Sequence, residues 1–311
     1  MARLFVEPWD PGYGSPMEAD SHLAPAESTI DSAVETADWA PIDGVDDDIT
    51  DIAFVDGVRR IDARVTIDDP AGPIPGICGT LAVGATHWNR RVPISEVRDI
   101  RVERIAVLGS GRNETFPPVG LQPEFSTVAI PDTDPDHLLG EIHDRMRRLE
   151  GETATRLAAE GCFVVADGPL HALSAQTTVG YVKSHRVTYL PADNNAVVGA
   201  LEPGQRTPLF TLAEYQRYSW YLRLARPAGG HSWTGIVRCE ASGGLPLEQV
   251  RTIADRTAAV LPLTASVGHI DPRAPQNLVP IGALESELRH QMGDPLLVNR
   301  ALREAVMRES A

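Results

Sequence analysis

Between Asp134 and Glu160, Leu138, Ile142, Met146, Leu149, Thr153 and Leu157 recur at helical spacing, and Gly161 ends the run. Asp134 or Asp136 is placed to cap the helix. The next five residues, 162–166, are wholly apolar and stop at Asp167-Gly168-Pro169. A one-sided helix running straight into a fully apolar strand constrains the chain strongly, because such a strand is buried on both faces. The remaining segments fit a sheet built around it. Residues 52–55 form an apolar run ending at Asp56-Gly57, read as a strand stopped by a turn. Residues 60–67 alternate polar and apolar, and 77–85 follow closely, which predicts an antiparallel meander. Further strands are expected at 104–108, 179–182, 187–190, 219–224 and 234–239. Helices are expected at 247–259 and, as one or two pieces, at 281–309. The order predicts a mixed sheet with flanking helices, α/β or α+β and taken as α/β, over residues 51–311.

Several classes are excluded. The longest nearly uncharged stretch, 72–88, is broken by Pro73, Pro75 and further glycines, so no membrane span is expected. The first residues show no basic-then-apolar export signal, so a cytoplasmic location is expected. Cys78, Cys162 and Cys239 are widely spaced with no CxxC, which argues against a disulfide framework or a thiolate zinc site. The sequence 105–111, IAVLGSG, resembles the start of a dinucleotide fingerprint. Glu114 stands at its third glycine position, however, and Pro117-Pro118 occupy the place of the phosphate-cradling helix.

Taken whole, the net charge of −15 argues against nucleic acid as a partner, but it is unevenly spread. Residues 1–50 hold twelve of the 43 acids and one base, Arg3, leaving 31 acids against 27 bases in the rest. The acidity therefore belongs largely to an N-terminal arm, read as extended or loop with one short helix near 28–38 and turned to solvent or a protein partner. All basic residues but one are arginines, and the exception is Lys183. Ammonium and guanidinium differ in shape and hydration, so that single lysine draws notice.

Two apolar strands end alike, in Phe-Val-Asp-Gly (54–57) and Val-Ala-Asp-Gly (165–168). Either aspartate alone serves equally well to cap a turn. If the strands are neighbours, Asp56 and Asp167 meet at one rim, where two carboxylates repel unless a proton or a hard cation lies between them. Helix geometry points to a third acid. From Glu150 to Glu160 the helix advances about 15 Å, and the strand then returns about 16 Å, so Glu150 ends level with Asp167. A surface glutamate paired with Arg147 or Arg148 is the alternative for Glu150. Lys183 and His185 follow in Val-Gly-Tyr-Val-Lys-Ser-His (179–185), where an ammonium suits a phosphate or a leaving oxyanion. His269, in Val-Gly-His-Ile-Asp (267–271), is a candidate metal ligand or proton carrier, against a purely structural role.

With these residues in view, the chain resembles the NurA nucleases, partners of a HerA-type hexameric DNA-translocating ATPase. The matching elements are VDG (55–57), ADGPL (166–170), VGYVKSH (179–185) with Tyr189-Leu190 after it, IVRCE (236–240) and the late His269. PWDPGYGSP (8–16) is similar to the opening of bacterial members. The resemblance implies a ribonuclease H-like core, Mn2+- or Mg2+-dependent cleavage of DNA in end processing and double-strand break repair, and a homodimer docking on the ATPase. It implies metal-binding roles for Asp56, Asp167, His269 and Glu150, with Glu152 in reserve for the last. Where the family has a tyrosine before the late histidine, this chain has Leu261-Pro262. On this reading metal ions activate the attacking water, Lys183 neutralises the scissile phosphate, and Arg59, Arg60, Arg64 and His185 contact DNA. A catalytically weakened adaptor for the ATPase and a small-substrate phosphatase are the competing expectations.

Overall fold

The computed structural model describes residues 3–6 and 30–310, apart from 93, 171–177, 184–188, 213–215, 227–231 and 272. The strands are β1 (Arg3–Val6), β2 (Ile30–Asp31), β3 (Ile42–Asp43), β4 (Asp51–Asp68), β5 (Ile74–Asn89), β6 (Ile94–Leu108) and β7 (Phe125–Ala129), before helix α1 (Pro135–Ala159). After it come β8 (Phe163–Asp167), β9 (Thr178–Val182), α2 (Ala192–Ala200), β10 (Gln205–Arg206), β11 (Phe210–Leu212), β12 (Arg217–Arg223) and β13 (Ile236–Ser242). The chain closes with α3 (Leu247–Val260), a 3-10 turn at Leu261–Thr264, α4 (Val279–Gln291) and α5 (Pro295–Ser310).

One mixed sheet runs β2-β11-β12-β13-β9-β8-β4-β5-β6-β7. Within it β4, β5 and β6 form an antiparallel meander. The chain then crosses through α1 and returns as β8, parallel to β4, with β9 parallel to β8 beyond it. The side chain of Asp134 accepts from the Asp136 amide at the start of α1, and Gly161 adopts φ 94° just past its end. Leu138, Ile142, Met146, Leu149 and Leu157 pack on Val55, Leu81, Val83, Ile105 and Val164. Each such side chain contributes about 1.5–3 kcal/mol relative to exposure. On the opposite face, Phe54, Val165, Tyr181 and Trp220 pack with Ile253 of α3 and Ile281 of α4. The strand 163–167 is thus covered on both sides, as its composition demands.

Three expectations need correction. The chain does not turn at Asp56-Gly57: β4 continues through both residues, pairing Asp56 with Gly84 and Gly57 with Val83 of β5. Its break in pattern is a bulge between Ile61 and Ala63. No strand forms at Tyr189-Leu190, and 187–188 lie outside the described residues. The described part of the acidic arm contains no helix and is built into the sheet, with β2 on β11 and β3 on β10. Glu35 receives both Nη atoms of the buried Arg206 at 2.9 Å, and its Oε2 also accepts the Leu209 amide. Asp46 pairs with Arg90, and Asp47 with Arg256. The three cysteines are unpaired, and no described helix is long and apolar enough to cross a membrane.

Candidate metal centre

The parallel register sets Val55 beside Ala166, so the next residue of each strand, Asp56 and Asp167, comes alongside the other. Here β8 ends and Gly168 turns the chain away at φ 86°, with its amide on the Tyr181 carbonyl, while β4 runs on. Along β4 the side chains alternate between faces. Phe54, Asp56 and Val58 face the side covered by α3 and α4, whereas Val55 and Gly57 face α1. Glu285 of α4 is buried and meets the two aspartates there. One carboxylate oxygen from each of Asp56, Asp167 and Glu285 lies within 4.8 Å of the others. A hard divalent cation bound at about 2.0–2.5 Å holds its oxygen ligands at such separations. The donor set, three carboxylates and no thiolate, suits magnesium or manganese.

Glu150 approaches from the other face. A Cβ at position 57 would lie 2.5 Å from its Oε1 and 2.8 Å from the Met146 Cγ. Gly57 is therefore glycine because α1 needs the space, not because the chain turns. Gly168 leaves similar room: a Cβ there would lie 2.8 Å from Arg147 Nη1. That nitrogen reaches Glu150 Oε2 at 3.5 Å and the Asp167 carbonyl at 3.4 Å, so Arg147 joins helix to strand end.

Burial pushes the Asp56 carboxyl well above its ordinary range, and the charges of Asp167 and Glu150 push it further. Burial likewise raises Asp167 despite the Lys183 ammonium, and brings Glu150 up to about 7 against the pull of Arg147. Burial acts upward on Glu285 too, but the hydrogen bonds and charge of Arg273 outweigh it and hold that carboxyl low. Lys183 Nζ donates to Asp167 Oδ2 and to Asn277 Oδ1, both at 2.7 Å. Acids confined this closely carry negative charge that a cation relieves.

Of the residues singled out in the sequence, Asp56, Asp167, Glu150 and Lys183 converge on this region. Glu152 does not: it is exposed and 3.3 Å from Arg101. His269 is exposed and outside the acidic group, whose third member is Glu285. His185 lies outside the described residues. Arg59 contributes positive charge toward Glu150. Arg60 is committed within the fold, donating to Asp62 at 2.7 Å and to the carbonyls of Gly293 and Met292. Arg64 is half-buried on β4 beyond the bulge. Leu261 is fully buried in the core, so it brings no polar group to the site. Sequence reasoning passed over Glu285, although it sits among Ile281, Leu284 and Leu288 on the apolar stripe of α4. An acid on a buried helical face was the available signal.

No protein-family model matches the chain, and no curated protein does. Among solved structures it is similar to one described as "Crystal structure of the NurA nuclease from Sulfolobus solfataricus". The identity is 12%, the TM-score 0.45, and the match covers 82% of this chain and 84% of that one. So distant a likeness assigns no role to any residue, and the functional reading rests on the site's own chemistry.

Proposed function

We propose that the chain is a divalent-metal-dependent nuclease hydrolysing phosphodiester bonds in DNA. The observation carrying this reading is the convergence of Asp56, Asp167 and Glu285 within 4.8 Å, with Glu150 opposite and Lys183 on Asp167. Asp56, Asp167 and Glu285 would hold the cation, Mn2+ or Mg2+. When bound, it supplies Lewis-acid stabilisation of phosphoryl oxygens and lowers the pKa of a coordinated water. Glu150, with its pKa near 7, is suited to accept the proton of the attacking water at neutral pH. Lys183 would leave Asp167 for a phosphate oxygen, a point-charge role that suits an ammonium. Arg59 and Arg64 would contact the DNA backbone.

The strand order β6-β5-β4-β8-β9, an antiparallel meander extended by two parallel strands, supports a ribonuclease H-like core. Glu35, Asp46 and Asp47 of the arm are matched by Arg206, Arg90 and Arg256, and outside the arm acids and bases nearly balance, so the overall acidity does not argue against a DNA substrate. Work at DNA ends during break repair, docking on a HerA-type ATPase and a homodimer extend this reading on the strength of the sequence motifs, and a nuclease acting on cellular DNA would work in the cytoplasm.

Purified full chain with Mn2+ is expected to cleave labelled linear or single-stranded DNA, and Asp56→Ala and Asp167→Ala to lose that activity. Undiminished cleavage by either variant would overturn the site. Mn2+ binding without cleavage, even with the cognate ATPase present, would favour the adaptor role instead.

A further inference from the structure

The segment between the 3-10 turn and α4 is folded against the acidic site and closes a ring of polar contacts around it. Its ends are joined by a bridge between Ala265 and Leu278. Its Gln276 carbonyl accepts the Tyr181 hydroxyl of β9 at 2.6 Å. From Asp167 the contacts run through Lys183 to Asn277 Oδ1, each step 2.7 Å. Asn277 Nδ2 donates to Asp271 Oδ2 at 2.6 Å. Arg273 Nη2 lies 3.3 Å from the same oxygen, and Arg273 Nη1 and Nη2 donate to Glu285 at 3.0 and 2.9 Å. The chain of contacts that leaves one carboxylate of the acidic group thus returns to another.

We propose that Asp271 is a positioning residue for this metal centre, drawing on Arg273 and Asn277 so that the protein's own cations neutralise Glu285 and Asp167 only in part. The inference rests on the metal-site reading above. Asn277 has one orientation that serves both neighbours, because an ammonium only donates and a carboxylate only accepts. Asp271 fixes that orientation, and with it the oxygen that shares Lys183 with Asp167. Asp271 also shares the Arg273 guanidinium with Glu285. Without Asp271 the whole guanidinium charge rests on Glu285, and Asn277 is free to withdraw its oxygen, leaving the ammonium on Asp167 alone. Both changes set an internal cation against an incoming one. Outer-shell partners of metal ligands commonly govern affinity in this way.

The test is calorimetric titration of the full-length chain with Mn2+, which requires no turnover. Asp271→Ala is expected to weaken Mn2+ binding about tenfold or more. Asp271→Asn keeps the shape and one acceptor but not the charge, and is expected to fall between Asp271→Ala and wild type. Asp56→Ala serves as the reference that loses binding. If Asp56→Ala loses Mn2+ while both Asp271 variants stay within twofold of wild type, the positioning role is overturned and the metal site stands. If Asp56→Ala binds Mn2+ as wild type does, the metal site falls and this inference with it. Should Asp271→Ala fail to fold, the near-isosteric Asp271→Asn decides alone.

Discussion

Glu150→Gln is expected to stabilise the metal-free chain at pH 8 and to do so far less at pH 5. Burial raises the folded-state pKa of Glu150 from 4.5 to about 7. A raised carboxyl pKa means that the folded chain keeps its proton through a window in which the unfolded chain has lost it. Stability therefore falls as pH rises from about 4.5 to 7, and by pH 8 the full penalty is present. A shift of roughly 2.5 units corresponds to about 3 kcal/mol. Of this, about 2.5 kcal/mol falls between pH 5 and pH 8. Glutamine keeps the carbonyl acceptor near Arg147 but cannot ionise, so the variant lacks this slope. Relief of repulsion on Asp56, which Glu150 also raises, acts in the same direction. Urea denaturation of both proteins in a chelator, at pH 5 and pH 8, measures the difference directly. Parallel losses of stability in wild type and variant would refute the claim that Glu150 is held as a buried, strained anion.

Gly57→Ala places a methyl group 2.5 Å from Glu150 Oε1 and 2.8 Å from Met146 Cγ, so it is expected to cost about 1–3 kcal/mol and to flatten the same pH slope by displacing the carboxylate. A variant with wild-type denaturation midpoints at both pH values would contradict that packing. Glu35→Ala leaves Arg206, 2% exposed at its side chain, without its bidentate partner. Because Asp255 still accepts from Arg206 at 2.6 Å, the expected loss is near the lower end of the usual ~3–5 kcal/mol. Thermal melting checks it, and a loss below about 1 kcal/mol would show that the arm is not held by this pair.

The elements legible in the sequence were those whose signal is local. Helix α1 announced itself by its stripe and its Asp134 cap, and β8 by having no polar face. The twin Asp-Gly endings marked Asp56 and Asp167 as partners on condition that their strands are neighbours, and the parallel β4–β8 pairing meets that condition. The level of Glu150 followed from counting rises along helix and strand. What escaped was non-local. Gly57 reads as a turn in isolation, and only the glutamate arriving from α1 explains why a glycine stands inside β4. Glu285 lies more than a hundred residues from Asp167, so nothing near it in sequence marks it as a site residue. The short strands β10 and β11 carry no periodicity of their own, since two or three residues cannot display one. Likewise, Glu35 and Asp47 of the arm look solvated until their arginine partners, far along the chain, are in place.

Those partners set an order of events during synthesis. Glu35 waits for Arg206 and Arg251, and Asp47 for Arg256, separations of 171 to 216 residues. At about 5–20 residues per second, the arm leaves the ribosome roughly 10–40 s before the surface that receives it exists. During that interval its excess of carboxylates keeps it hydrated and disfavours premature pairing with the apolar strands that follow. The acidity thus serves the growing chain first, and Glu35 and Asp47 become ion pairs only once Arg206, Arg251 and Arg256 have been made.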